Sequence, residues 1–190
     1  VSAVPNTNLK VVSNVVNGIK SLIDDLDLNL EVSYDATHPY IKEQLMTATM
    51  PDGTIDGNKL FTIIVKEQYR NPNRGGQSHA DVIITRQLLH QNQAMWGYTD
   101  FQYGCCLIFV PQERQKSLSF IKNVAKHEAG HLLCPIFHHE MHKVKGYREM
   151  KDCLMLEQCT TLNICDKCKD AIIYFWKGIE ERTGKIFFKK

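Results

Sequence analysis

The feature that most constrains this chain is a helical stretch that carries two histidines and then meets a proline. From about Ser117, apolar residues recur at intervals of three or four, which predicts an amphipathic helix. Pro135 cannot continue a helix and disfavours helical geometry at Cys134, so the predicted helix runs from about 117 to 133. Its last turns contain the sequence HEAGH at residues 127–131. Any fold for this chain must therefore accommodate these polar residues where a long helix ends.

The HEAGH sequence has the spacing of a zinc site. On a helix, residues four positions apart lie on one face, so His127 and His131 can direct two imidazoles at one ion. Glu128 follows the first histidine and is close enough to accept a proton from a metal-bound water. Zinc lowers the pKa of such a water to about 7, so a carboxylate of ordinary basicity can complete the deprotonation. We therefore interpret Glu128 as a candidate catalytic base.

A catalytic zinc needs a third protein ligand, and the sequence offers several. In the metzincin peptidases the motif extends to HExxHxxGxxH, in which the glycine ends the helix and the last histidine returns to the metal. Here Cys134 occupies the glycine position and Phe137 the third-histidine position, while His138 follows one residue later. An extended exit from the helix at Cys134 accounts for one additional residue before the chain returns, which favours His138. The alternatives are His139, His142, Glu149 and Glu157.

A second cluster of metal-binding residues lies towards the C-terminus. The chain has seven cysteines, and four of them fall within residues 153–168. "CDKC" at 165–168 is a CxxC knuckle, which holds two thiolates within reach of one ion. Cys153 and Cys159 lie just upstream, and no predicted strand leads into the knuckle as a thioredoxin-like motif requires. A structural zinc is the favoured interpretation, and the alternatives are a redox pair or unligated thiols.

Together these motifs resemble the archaemetzincins, a family of metallopeptidases that are also called archaelysins. The resemblance lies in HExxH, in Cys-Leu-Met at 153–155 and in the terminal CxxC. It implies two zinc ions: a catalytic ion held by three histidines and a structural ion held by four cysteines. The residues that match the family pattern directly are His127, Glu128, His131, Cys153, Met155, Cys165 and Cys168.

The resemblance also assigns residues where this chain departs from the family pattern. The family's consecutive histidine and cysteine correspond to His138 and His139. His138 would then bind the catalytic zinc and His139 the structural one, which three cysteines and one histidine would hold. Met155 would form the methionine turn beneath the catalytic zinc. The competing fourth ligands of the structural site are Cys134 and Cys159.

The fold class follows from periodicity and from the same resemblance. The resemblance implies an α+β metzincin-like fold with an α/β-like upper lobe. That lobe would contain a twisted, mostly parallel sheet with an antiparallel edge strand, a backing helix and an active-site helix. Periodicity predicts the backing helix over 8–26 and strands over 28–34, 59–67, 80–86, 94–99 and 105–111.

We expect a single catalytic domain over residues 1–190. Its upper lobe would span about 1–134, and a small cysteine-rich, zinc-bearing lobe would span about 135–190. The two lobes would enclose the cleft that contains the catalytic zinc.

Composition narrows the class of partner. Hydrophobic residues make up 43% of the chain and charged residues 23%, which is typical of a soluble globular domain. The net charge of +2 is too small to indicate binding to nucleic acid or to an anionic membrane. No apolar run approaches the roughly 20 residues that span a bilayer. The start of the chain lacks a basic leader followed by an apolar segment, so we expect no signal peptide and a cytoplasmic location. We assume a monomer.

The sequence therefore predicts a zinc metallopeptidase that hydrolyses peptides or proteins. The alternative is a zinc-stabilised peptide- or protein-binding module on a degenerate peptidase scaffold, and the altered glycine and shifted histidine motivate it. The presence of Glu128 argues against that alternative, because a site that only binds metal does not need the carboxylate. A third hypothesis is a C-terminal zinc-ribbon interaction module in which the HExxH sequence is incidental. Two tightly bound zinc ions would favour the first two hypotheses, and one ion would favour the third.

Overall fold

The computed structural model describes residues 1–34, 41–70, 80–112, 116–136, 153–156 and 161–189, and it places a sheet between two layers of helices. The strands are β1 (Ser2–Ala3), β2 (Asp81–Thr85), β3 (Gly97–Asp100) and β4 (Cys105–Phe109). The helices are α1 (Leu9–Asp25), α2 (Ile41–Ala48), α3 (Gly57–Arg70), α4 (Leu118–Leu133) and α5 (Asp166–Thr183).

The sheet has the order β1-β2-β4-β3 and is mostly parallel. β1, β2 and β4 run parallel to one another, and β3 pairs antiparallel with β4 at the edge. Every residue of β4 (CCLIF) is buried, which is typical of a strand covered by helices on both faces. The predicted combination of a mostly parallel sheet and an antiparallel edge strand is therefore confirmed.

Alternate residues of the central strands contribute to two separate hydrophobic layers, because successive side chains of a strand point to opposite faces. On one face, Ile84 and Ile108 pack with α1, α4 and the start of α5. On the other face, Ile83 and Leu107 pack with α2 and α3. α4 consequently lies against α1 and the sheet, and it passes beneath the edge strand β3.

The two helices predicted from periodicity are present at the expected positions. The helix predicted over 8–26 is α1, and the helix predicted over 117–133 is α4. The strands predicted over 80–86, 94–99 and 105–111 correspond to β2, β3 and β4. None of the described helices combines the length and apolar content needed to cross a bilayer.

Two predicted strands are wrong. Residues 59–67 belong to the helix α3, which Asp56 caps by accepting a hydrogen bond from the Lys59 amide (3.0 Å). The buried residues Leu60, Phe61 and Ile64 follow helical spacing, so tertiary burial outweighs the β propensity of this apolar run. In the predicted strand 28–34, Leu28 forms only an isolated bridge with Phe188. Two elements were not predicted from the sequence, the short strand β1 and the helix α2.

Candidate metal centre and active site

The helix α4 determines where the two histidines lie. Its first turn is capped by Ser117, whose side chain accepts a hydrogen bond from the Phe120 amide (3.2 Å). At its end Cys134 is extended, with φ −158° and ψ 143°, as predicted for the residue before a proline. The chain then turns so that the Ile136 carbonyl approaches the last histidine of the motif. The extended exit from the helix at Cys134 therefore brings the Ile136 carbonyl to His131.

The two imidazoles are oriented by backbone carbonyls. Nδ1 of His127 lies 2.8 Å from the Leu154 carbonyl oxygen, and Nδ1 of His131 lies 2.8 Å from the Ile136 carbonyl oxygen. Because a carbonyl oxygen only accepts hydrogen bonds, each neutral ring carries its proton on Nδ1 and presents the lone pair of Nε2. Carbonyl acceptors of this kind orient the histidines of metal sites.

The two Nε2 atoms converge. They lie 3.1 Å apart, and in neutral rings that donate from Nδ1 each Nε2 would offer a lone pair. Two nitrogens bound to one tetrahedral zinc at 2.0–2.1 Å would lie about 3.3 Å apart. The spacing therefore fits a shared metal ion, and His127 and His131 are the described residues that could hold it.

Glu128 lies on the side of α4 that faces the edge strand. It is 7% exposed, and its Oε2 accepts a hydrogen bond from the Thr99 hydroxyl (2.6 Å). Burial raises the pKa of the Glu128 carboxyl to about 7, while the Thr99 hydrogen bond lowers it. A carboxyl with this pKa can accept and release a proton near neutral pH.

Met155 packs beneath the histidine-bearing part of α4. Its side chain is fully buried, and its Sδ lies 2.6 Å from the point that a Cβ on Gly130 would occupy. The absence of a side chain at Gly130 therefore allows this close approach. The family resemblance implied that Met155 forms a turn under the metal, and the structure places Met155 against Gly130 of α4, between the two histidines in sequence.

The three described cysteines of the C-terminal cluster come together. The Sγ atoms of Cys153, Cys165 and Cys168 all lie within 4.8 Å of one another, so this group could hold a metal ion. Cys153 Sγ and Cys168 Sγ are 4.0 Å apart, close to the roughly 3.8 Å expected for two thiolates on one tetrahedral zinc. Cys165 is the N-cap residue of α5, and its amide donates to Cys153 Sγ (3.4 Å).

The electrostatics of this cluster favour a bound cation. The pKa of Cys168 is raised, first by its hydrogen bond with Cys153 and then by burial, and burial also raises the pKa of Cys165. Three thiolates so close together would repel one another, whereas a divalent cation would stabilise all of them. The chemistry of the donor set therefore fits zinc.

Several predicted ligands are not in these groups. Cys134 is buried, and its Sγ lies 3.9 Å from the Ala171 carbonyl oxygen rather than among the three clustered thiols. Other predicted ligands and alternatives lie outside the described residues: His138, His139, His142, Glu149, Glu157 and Cys159.

Two neighbours of Glu128 were not predicted from the sequence, Thr99 and Gly97. Both residues lie on β3, and the two-residue spacing directs them to the same face. That spacing could have been read from the sequence. The sequence does not show which face of β3 the helix α4 approaches, because that depends on how the helix packs on the sheet.

Comparison with known proteins found similarity to a solved structure. No protein-family model matches the chain, and neither does any curated protein sequence. The fold is similar to that of a zinc-dependent peptidase from Methanocorpusculum labreanum, with a TM-score of 0.61 and 14% sequence identity. The match covers 90% of this chain and 97% of the other. The two proteins therefore share a fold over nearly their whole lengths.

Proposed function

We propose that this protein is a zinc-dependent metallopeptidase of the metzincin type. The observation that carries the proposal is the convergence of two Nε2 lone pairs, 3.1 Å apart, beside a buried carboxylate on the same helix. The fold shared with a zinc-dependent peptidase supports it independently of these residues. The motifs of the archaemetzincins, as they stand in this sequence, support assignment to that family.

The residues of the chain have distinct roles in this proposal. His127 and His131 would hold zinc through Nε2, with His138 as the third ligand. Bound there, zinc would polarise the scissile carbonyl and acidify a water molecule. Glu128 accepts a proton from the water whose oxygen attacks the carbonyl carbon. As the C–N bond breaks, Glu128 donates that proton to the leaving amine nitrogen.

The edge strand favours an extended peptide as the substrate. Among the described residues, β3 pairs with β4 alone, so its outer edge carries backbone groups that another strand can pair with. Glu128 lies directly against this strand through Thr99. A peptide added antiparallel to β3 would therefore pass close to the catalytic carboxylate.

A second, structural zinc completes the proposal. Cys153, Cys165 and Cys168 would supply three thiolates, and His139 would supply the fourth ligand. We further propose one catalytic domain with an upper and a lower lobe, acting as a cytoplasmic monomer on peptides or unfolded proteins.

A specific feature favours a second candidate function. Cys134 and Phe137 replace the glycine and the third histidine of the metzincin motif. These departures fit a zinc-stabilised module that binds a peptide along β3 without cleaving it. Both functions require the same fold and the same metals. They differ only in whether the protein cleaves the peptide that it binds.

The deciding experiment compares Glu128→Gln with wild type on a denatured protein substrate, with zinc measured by elemental analysis. Glu181→Gln, at an exposed position of α5, is the matched control. We expect two zinc ions in all three proteins and an activity loss of at least about 100-fold in Glu128→Gln alone. Wild type that holds both ions but cleaves nothing would overturn the peptidase proposal and favour the binding module. Cleavage by Glu128→Gln at the wild-type rate would overturn the assigned base.

A further inference from the structure

The strand β3 contributes two residues to the surroundings of the Glu128 carboxylate. We propose that Thr99 is a positioning residue for Glu128, and that Gly97 supplies the space in which the carboxylate lies. The hydroxyl of Thr99 would hold one orientation of the general base throughout the reaction. This inference rests on the proposed peptidase function and assigns a role that the histidine motif does not contain.

Gly97 makes room for the carboxylate. The Glu128 side chain lies so close to Gly97 that a Cβ added there would overlap Cγ, Cδ and Oε1. A methyl group at this position would meet three atoms of one side chain, including the carboxyl carbon. The carboxylate therefore lies against the backbone of β3 itself, and only glycine permits this contact.

Thr99 then fixes the rotation of the carboxylate. Its hydroxyl donates to Oε2 at 2.6 Å, a short distance that is typical of a hydrogen bond to a charged acceptor. Among the described residues, no other side chain hydrogen-bonds this carboxylate. Threonine is also stiff at χ1, so its hydroxyl does not follow a moving partner as a long side chain would.

The strand that carries these two residues is held from its opposite face. Tyr98 stacks on Phe61 of α3, with ring centroids 5.4 Å apart and an interplanar angle of 2°. Its hydroxyl donates to Oδ1 of Asn58 (2.8 Å). α3 therefore restrains β3 while Thr99 restrains Glu128. Rigid support of this kind is needed because a displacement of about 1 Å at a catalytic group can reduce the rate about 100-fold.

The consequence for catalysis is specific. A positioning hydroxyl affects the step in which Glu128 takes the proton, and it does not bind substrate or metal. Its loss should therefore lower kcat and leave KM and the zinc content nearly unchanged. Loss of a residue that merely stabilises the fold would not lower kcat while leaving KM and the zinc content unchanged.

The test uses the full-length, zinc-loaded protein with three changes at residue 99 and one control. Thr99→Val keeps the shape and removes the hydroxyl, and Thr99→Ser keeps the hydroxyl. Thr99→Ala replaces the valine variant if that protein does not fold. Thr47→Val makes the same exchange on the exposed face of α2. The measurements are kcat, KM, bound zinc and a crystal structure of the valine or alanine variant.

We expect Thr99→Val to lower kcat by about 10- to 100-fold, with KM within about threefold of wild type and both zinc ions retained. Thr99→Ser should restore kcat to within about threefold, and Thr47→Val should match wild type. In the crystal structure, the Glu128 carboxylate should leave its position against Gly97 or adopt more than one rotamer.

The crystallographic result separates this inference from the proposed function. If wild type proves inactive, the peptidase proposal fails, and the rotamer of Glu128 in the variant still tests whether Thr99 holds it. An unchanged rotamer in the variant would overturn the positioning role. So would a kcat equal to that of wild type, or a serine variant that fails to restore kcat.

Discussion

The two candidate metal sites are assembled in different ways. The histidine pair lies on one helix, and its spacing is set by α4 before any metal binds. The cysteine cluster joins two separate segments, the turn at 153–156 and the start of α5. The first site is therefore organised by secondary structure and core packing. The second brings together thiols from two segments, and a cation bound there would stabilise their close approach.

The two sites nevertheless share three consecutive residues. Cys153 places its sulfur in the cysteine cluster, the Leu154 carbonyl orients His127, and Met155 packs under Gly130. The turn that carries these residues is thus fixed at one end by the thiols and at the other by α4. A metal bound by the cysteines would therefore also stabilise the orientation of the His127 imidazole.

The largest expected effect is the loss of the cysteine site. Cys153→Ser should remove one zinc ion and lower the melting temperature by more than about 10 °C, because metal-binding free energy at such a site is folding free energy. His131→Ala should also remove one zinc but lower the melting temperature by less than about 5 °C, because the core holds α4 without it. Elemental analysis and thermal unfolding followed by circular dichroism measure both effects.

Cys134→Ser is the matched control for that comparison. Cys134 is also buried, yet its sulfur contacts the Ala171 carbonyl and not the thiol cluster. This variant should keep both zinc ions. Loss of zinc from it would identify Cys134 as a ligand and contradict the separation of the sites.

An intermediate effect is expected from a methyl group between the sites. Alanine favours helices over glycine by about 1 kcal/mol, but at Gly130 its Cβ would lie 2.6 Å from Sδ of the fully buried Met155. Gly130→Ala should therefore destabilise the protein by about 1–3 kcal/mol. It should also weaken zinc binding at the histidines about 10-fold, because the shifted turn carries the carbonyl that orients His127.

Gly178→Ala is the corresponding control on α5. The nearest atom to its new Cβ would be in the flexible Arg182 guanidinium, 3.3 Å away. Here the helix preference should dominate, with a stabilisation of up to about 1 kcal/mol. Urea unfolding measures both variants, and stabilisation of Gly130→Ala would show that Met155 does not constrain the helix.

The smallest expected effect comes from a buried lysine of α4 that contacts both α1 and the segment before the cysteine knuckle. Lys126, only 3% exposed in its side chain, is paired with Asp25 of α1 and donates to the Leu162 carbonyl (2.7 Å) upstream of the cysteine knuckle. Lys126→Met should cost about 1–2 kcal/mol, because that carbonyl loses its donor. Lys189→Met breaks an exposed pair with Asp24 and should cost less than about 0.5 kcal/mol. If urea unfolding gives the same loss of stability for both variants, burial of Lys126 does not strengthen its contacts with Asp25 and Leu162.

Local sequence was sufficient for some elements. α4 was predictable because helical periodicity, the Ser117 cap and Pro135 all indicate the same boundaries. The strands β2 and β4 were predictable as short apolar runs bounded by turn residues. The CxxC knuckle was predictable as a pair of neighbouring metal ligands because its spacing alone brings two thiols near one point.

α3 shows why local sequence was insufficient elsewhere. The run from Lys59 to Glu67 is rich in β-branched and aromatic residues, which favour strands. The helix forms because Asp56 caps it and because Leu60, Phe61 and Ile64 bury one helical face against the sheet. The capping aspartate was visible in the sequence, but the surface that buries this face was not.

The sequence by itself determined which residues are candidate metal ligands, because the spacings of His127 and His131 and of the cysteine knuckle depend only on local geometry. Only the tertiary structure decided which distant groups complete their surroundings. The Leu154 carbonyl behind His127, the Cys153 sulfur beside the knuckle and the Thr99 hydroxyl on Glu128 all come from other elements. The physical reason is that ligand spacing depends on helix and turn geometry. Orientation and protonation depend instead on burial and hydrogen bonds that form only when these elements pack together.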